Sequence, residues 1–150
     1  MEAVIAKNAD RLFRTALAIM RNKEDAEDIV QDVFVRWHEK KPPFASDAHE
    51  TAWLMRVAVN LCRSRLRSPW RRRMPLLESY PARDESEGQV VMEILSLPVK
   101  YRTVLHLHYF EGYSTAEAAE ITGQKESTLR QQLTRARRML KDVLMEGEWA

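Results

Sequence analysis

Cysteine is almost missing: Cys62 stands alone in 150 residues. One thiol cannot build a disulfide framework or a cysteine-based zinc site, and a reducing interior is the natural compartment for such a chain. Glycine numbers 4 and proline 6, while Leu, Arg, Glu and Ala are abundant. That mix favours helices and disfavours a strand-rich sandwich or barrel. Long apolar runs are missing too. The longest, around Ala16 to Met20, falls far short of the roughly 20 residues that span a membrane. The opening Met1-Glu2 has neither the basic nor the apolar region of a signal peptide. The expectation is a soluble cytoplasmic protein without membrane insertion.

Catalytic patterns are equally lacking. No Gly-rich phosphate loop, no Gly-x-Ser-x-Gly and no His-Glu-x-x-His occurs. His106 and His108 lie two apart on an expected helix, so they point away from each other and share no metal. We therefore expect no catalytic residues, no metal and no cofactor.

What is present is sorted charge. The formal net charge is only +2, but it is a cancellation of blocks. Glu24 to Asp32 holds five acids and no base; Arg56 to Arg73 holds seven bases and no acid. Glu78 to Glu93 holds five acids against Arg83, and Lys125 to Lys141 six bases against Glu126. Such sorting suits two basic surfaces for a polyanion and an acidic surface for something else.

The pattern reads as an all-α chain of two small modules on a flexible linker. Leu12, Phe13, Ala16, Leu17 and Met20 fall at helical spacing over residues 2–21, and Asn22 ends or caps that helix. Ala26, Ile29, Val30, Val33, Phe34 and Trp37 form a nearly ideal stripe over 24–40. Lys41-Pro42-Pro43 stops it. A third helix at 49–67 turns Leu54, Val57, Ala58 and Leu61 inward. Residues 69–88, with Pro69, Pro75, Pro81 and the Arg71-Arg72-Arg73 run, show no period and read as the linker. A short helix at 89–96 comes next. The one after it, over 98–110, places Tyr101, Val104, Leu105, His108 and Tyr109 on one face. Ser114-Thr115-Ala116-Glu117 spells a capping box, Gly123 a left-handed helix end, and a last helix runs from about Glu126 to Met145.

Two of these helices are fit to meet DNA. Thr115 to Thr134 matches a helix-turn-helix, with small Ala119 at the crossing, Gly123 in the turn and Leu129 inside. Leu129, Leu133, Ala136 and Leu140 make the buried stripe. Ser127, Arg130, Gln131, Thr134, Arg135 and Arg138 lie on the other faces, with Lys125 at the entry. A helix with polar, Arg-rich early turns suits the major groove, where Arg130 and Gln131 would read base edges and Lys125, Arg135 and Arg138 phosphates. In the first module Arg56, Asn60, Arg63 and Arg67 form one polar stripe bordered by Trp53, with Phe44 in the preceding loop. Guanidinium groups beside aromatic rings suit unpaired bases. Asp25, Asp28 and Asp32 form an acidic ridge, which on a DNA-binding chain calls for a protein partner. A stand-alone helix-turn-helix regulator or a purely protein-binding adaptor would leave one or more of these surfaces unused.

Four segments in this order carry a resemblance. They are Asp25-Ala26-Glu27-Asp28-Ile29-Val30-Gln31-Asp32-Val33-Phe34; Ala52 to Asn60 with Arg67 beyond; Leu97-Pro98-Val99-Lys100-Tyr101-Arg102; and Glu111-Gly112-Tyr113-Ser114. Together they resemble the extracytoplasmic-function group of bacterial RNA polymerase sigma factors. The resemblance implies a three-helix region two at 1–68 and a linker at 69–88. It implies a four-helix, helix-turn-helix region four at 89–150. Asp25, Asp28, Gln31, Asp32 and Phe34 would dock core RNA polymerase. Phe44, Trp53, Arg56, Asn60, Arg63 and Arg67 would read and melt the promoter −10 element. Lys125, Ser127, Thr128, Arg130, Gln131, Thr134, Arg135 and Arg138 would read the −35 element. An anti-sigma protein is the further partner that the resemblance implies.

Overall fold

The computed structural model describes residues 2–68 and 85–149. Every regular element among them is helical. The first three helices are α1 (Glu2–Met20), α2 (Lys23–Lys40) and α3 (Asp47–Leu66). Each boundary has a local cause. Arg21, after α1, takes φ 56° and reverses the chain. Asn22 caps α2, its side chain accepting from Asp25 N at 2.8 Å. Pro42 and Pro43 come just after the end of α2. Ser46 caps α3 by accepting from His49 N at 3.1 Å, so α3 opens two residues before the expected start at His49.

The linker expected at 69–88 lies outside the described residues as far as 84. Its last four residues do not behave as linker, because α4 (Glu85–Leu95) already includes them. Next come α5 (Val99–Leu105) and a π-helical turn at His106–Phe110. The helix-turn-helix pair is α6 (Thr115–Thr122) and α7 (Glu126–Trp149). The capping box forms in full: Ser114 Oγ accepts from Glu117 N at 3.1 Å, and Glu117 Oε1 accepts from Ser114 N at 2.9 Å. Gly123, at φ 70°, ends α6 in the left-handed region that favours glycine.

The π turn corrects one expected face. Glu111 N reaches His106 O at 3.1 Å, a wide turn with one extra residue. That residue rotates the side chains beyond it. His108 is half-buried, and Tyr109 and Phe110 are 53% and 46% exposed, while His106 and Leu107 are buried. Tyr109 and Phe110 instead join Val90, Ile94, Leu140 and Met145 around an apolar groove of about 470 Å³. In α3 the inward face also widens. Leu54, Met55, Ala58, Val59 and Cys62 are buried, whereas the expected Val57 and Leu61 are half-buried.

Helices α1–α3 wrap one bundle, and α5–α7 with the π turn wrap another. Both share a single apolar core that runs from Leu12 and Ile29 through Met55 to Leu105, Ile121 and Leu129. The last six residues of α1, Thr15 to Met20, are all buried. An amphipathic helix covered on one side leaves a solvated face. Here α2 and α3 cover one side of α1 and the second bundle covers the other.

Candidate nucleic-acid interfaces and docking ridge

Helix α7 is sorted as its sequence demands. Leu129, Leu133 and Ala136 are essentially inaccessible, at 0%, 1% and 0%. Leu140 is half-buried. Lys125, Ser127, Thr128, Arg130, Gln131, Thr134, Arg135 and Arg138 are all exposed. The turn before the helix is fixed at both ends, by Gly123 and by Thr115 Oγ1, which donates to Glu126 Oε1 at 3.0 Å. Glu126 also pairs with Arg130, one turn on. Any acceptor that approached Arg130 would compete with that carboxylate for the guanidinium. Exposed pairs of this kind contribute only about 0.2–1 kcal/mol, so the competition is cheap.

On α3, Arg56, Asn60 and Arg67 are exposed along one stripe. Trp53 is half-buried and meets Phe44 edge-on, with centroids 5.7 Å apart; Phe44 in turn meets His49 at 5.4 Å. These rings make an aromatic ledge where the α2–α3 loop meets the first turns of α3, and Lys41 lies 3.8 Å over the Trp37 ring of α2. Arg63 departs from the expected free stripe. It is half-buried, and its Nη1 donates to Thr122 O at 2.7 Å, at the end of α6. Burial and the neighbouring Arg67 both hold the Arg63 pKa below its ordinary value.

The acidic ridge of α2 is narrower than its spacing suggested. Asp25 is 6% exposed in the first turn, beside its cap, and Phe34 is 9% exposed in the core. Asp28 and Gln31 are exposed and Asp32 is half-buried. Arg65 of α3 binds both acids, Asp32 Oδ2 at 3.2 Å and Asp28 Oδ2 at 3.6 Å. Val35 completes this face. It is 53% exposed and stands seven residues after Asp28, two helical turns along the same side. Sequence reasoning missed it, although the valine falls off the apolar stripe of α2, which was the available signal.

A third group was not foreseen. Glu111, at the end of the π turn, has a side chain only 1% exposed. It accepts from Arg14 Nε at 3.2 Å and Arg14 Nη2 at 3.1 Å, and faces His106 Nε2 at 2.9 Å and Arg11 Nε at 3.4 Å. Burial alone would raise its carboxyl pKa. The bonds and charges of His106 and Arg14 outweigh it and bring the pKa down to about 2. Among the described residues no cluster of His, Cys, Asp and Glu could hold a metal ion, and no helix is long and apolar enough to cross a membrane.

Known proteins share this arrangement. The model of sigma-70 region 2 matches residues 4–72, and that of sigma-70 region 4 matches residues 87–140. The ECF RNA polymerase sigma factor SigM of Mycobacterium tuberculosis is 34% identical over 140 residues, covering 89% of this chain and 71% of SigM. SigW of Bacillus subtilis, also an ECF sigma factor, is 26% identical over 162 residues, covering 91% of this chain and 84% of SigW. Among solved structures, RpoE of Bartonella quintana, in complex with the anti-sigma factor NepR, superposes with a TM-score of 0.81. It covers 96% of each chain at 22% identity, a likeness of fold. CnrH, in complex with the cytosolic domain of CnrY, superposes with a TM-score of 0.72 at 25% identity, over 97% of this chain and 87% of CnrH. With both region models matched in order and a third of its residues shared with SigM, the chain belongs to the ECF RNA polymerase sigma factors.

Proposed function

We propose that this chain docks on core RNA polymerase in the cytoplasm and directs it to promoters that carry a −10 and a −35 element. The carrying observation is α7, whose Leu129, Leu133 and Ala136 are sealed in the core while Lys125 at its entry and the seven polar candidates along it all face solvent behind a capped turn. Residues 89–150 read duplex at the −35 element, with Arg130 and Gln131 on base edges and Lys125, Arg135 and Arg138 on phosphates. Ser127, Thr128 and Thr134 add short polar contacts along the same faces.

Residues 1–68 supply the other half. Asp28, Gln31, Asp32 and Val35 form the polymerase-docking face, an apolar side chain set among acids. Asp25 and Phe34 hold the helix that presents it. The ledge of Phe44 and Trp53 stacks bases, and Arg56, Asn60, Arg63 and Arg67 follow the melted strand. The activity is one of assembly and recognition, with the chemistry left to the polymerase. Control by an anti-sigma protein follows from the family, and one of the related structures, RpoE with NepR, holds such a complex.

A purified system tests this. Core polymerase plus this chain should give transcripts from discrete start sites on a library of genomic fragments, and core alone should not. Operator binding by the chain without polymerase, with no transcript on any template, would favour a stand-alone regulator instead.

A further inference from the structure

From Lys125 to Lys141 the chain carries six bases and a single acid, Glu126. A carboxylate beside a helix face that meets a polyanion lowers affinity for every sequence. We propose that Glu126 is a specificity-determining residue: it directs Arg130 at a guanine and offers its second carboxylate oxygen to a cytosine on the neighbouring base pair. The inference deepens the reading of α7 as the −35 helix and rests on it.

The carboxylate is held from two directions. Thr115 Oγ1, at the start of α6, donates to Glu126 Oε1 at 3.0 Å, and Arg130 Nη2 donates to the same oxygen. One side chain thus ties the first helix of the pair to the reading face of the second. Oε2 has no partner among the described residues. The Glu126 side chain is 39% exposed and that of Arg130 65%, so both reach solvent. Glu117, the acid of the preceding helix, differs: its Oε1 already accepts from Ser114 N at 2.9 Å in the capping box. Arg130 keeps further N–H donors in its planar fork after binding Glu126, enough for O6 and N7 of a guanine. The carboxylate fixes the direction in which that fork points.

The chemistry of the base edges then selects the neighbour. In the major groove guanine presents two acceptors, thymine one, and adenine an acceptor beside its amino group. Each sets a lone pair against a carboxylate. Cytosine presents an amino donor with no acceptor on its own edge. Side chains one helical turn apart stand about 5–6 Å apart at Cβ, and stacked base pairs rise about 3.4 Å. The two ends of the Glu126–Arg130 pair therefore meet neighbouring base pairs. Guanine at Arg130 beside cytosine at Glu126 satisfies both side chains, and any other neighbour leaves Oε2 against a lone pair. The acid lowers affinity for duplex in general and regains it at one base, which is a device for specificity.

An acid in the first turn of a helix also suits the helix dipole. A Glu126 with that role alone would move thermal stability and leave base preference untouched. The test reconstitutes holoenzyme from core polymerase and the full chain, transcribes a promoter library randomised over the upstream element, and sequences the productive templates. Arg130→Ala locates the guanine, as the position whose preference it removes. Beside it the parent should favour cytosine about tenfold, the discrimination of one good base contact. Glu126→Gln should turn that preference to adenine, because an amide supplies a donor for N7 and an acceptor for N6. Glu126→Ala should flatten it and weaken the guanine preference about threefold, the effect of losing an exposed ion pair. Thr115→Val, which keeps the shape and removes the hydroxyl donor, should weaken both preferences in the same direction. Circular dichroism of each variant should match the parent. A parent holoenzyme indifferent to the neighbouring base would overturn the inference, as would natively folded Glu126→Gln and Glu126→Ala with the parent's preferences. No transcript from any template would instead strike the promoter-directing reading on which the inference rests.

Discussion

Replacing Arg102 by methionine removes the guanidinium and keeps most of the apolar stem. The fork then no longer reaches Ala18 O, Ile19 O or Leu97 O. A buried carbonyl stripped of its donor costs about 1–3 kcal/mol. A cation at a helix C-terminus contributes about a further 0.3–1 kcal/mol. Against this, methionine avoids the cost of drying a charge. These terms set the loss at about 3 kcal/mol. With a urea slope of about 2 kcal/mol per M, the unfolding midpoint falls by about 1.5 M. Arg102→Lys should recover less than half, because an ammonium is a point charge and cannot span separated acceptors. The assay is urea unfolding monitored by circular dichroism and by tryptophan fluorescence. If the seam between the bundles fails before the bundles do, the two probes separate in a Trp70→Phe, Trp149→Phe background, since the remaining Trp37 and Trp53 both lie in the first bundle. A midpoint within 0.3 M of the parent chain (about 0.6 kcal/mol at that slope), or full rescue by lysine, would refute the reasoning.

Further outcomes are expected from the same geometry. Ser114→Ala, which opens the capping box of α6, should cost about 1 kcal/mol, and Gly123→Ala, at φ 70°, a similar amount; thermal unfolding measures both. Cys62 should stay inert to a thiol reagent at pH 8 until denaturant opens the first bundle, and rapid labelling of the native chain would contradict its packing. Glu111 has a carboxyl lowered from 4.5 to about 2, in contact with Arg11 and Arg14 of α1 and His106 of its own bundle. A lowered folded-state pKa stabilises above the ordinary carboxyl range and ceases to as pH falls toward the folded value. Stability should therefore decline below about pH 4.5, and Glu111→Gln should flatten that decline in urea midpoints taken from pH 6 to 3. Asp28→Arg should weaken core polymerase binding at least tenfold while leaving duplex binding by α7 intact, whereas Arg65→Ala should change stability by less than about 1 kcal/mol; titration with labelled core polymerase and urea unfolding read the two.

Much of this architecture is legible one helix at a time. Ser114 and Glu117, Asn22 and Gly123 act within a turn of their own position, so residue type and spacing suffice to place them. The sealed side of α7 follows from Leu129, Leu133 and Ala136 for the same reason. What escapes is set by neighbours distant in sequence. Ala18 lies off the apolar stripe expected for α1 and is buried against Val91 and Leu95 of α4, while Thr15, also off it, sits between Met55 of α3 and His106. Arg102 and Glu111 look like surface charges until their partners, more than eighty residues away, are known. The π turn adds one residue to a helix whose sequence carries no mark of it, which is why Tyr109 was expected inside. Resemblance puts Asp25 and Phe34 on the docking ridge, but periodicity already sets Phe34 in the buried apolar stripe of α2. The burial of Asp25, beside its Asn22 cap in the first turn, is what the spacing of the acids does not show.

The central claim is that one chain carries both a polymerase-docking face and two promoter-reading faces. Reconstituted transcription on a genomic library, with start sites mapped and permanganate probing of the melted region, tests it most directly. We predict a recurrent pair of sequence elements upstream of the starts, a melted bubble at the downstream element that Asn60→Ala and Arg67→Ala shrink, and loss of upstream-element dependence on Arg130→Ala. Transcripts no different from those of core polymerase alone would contradict it.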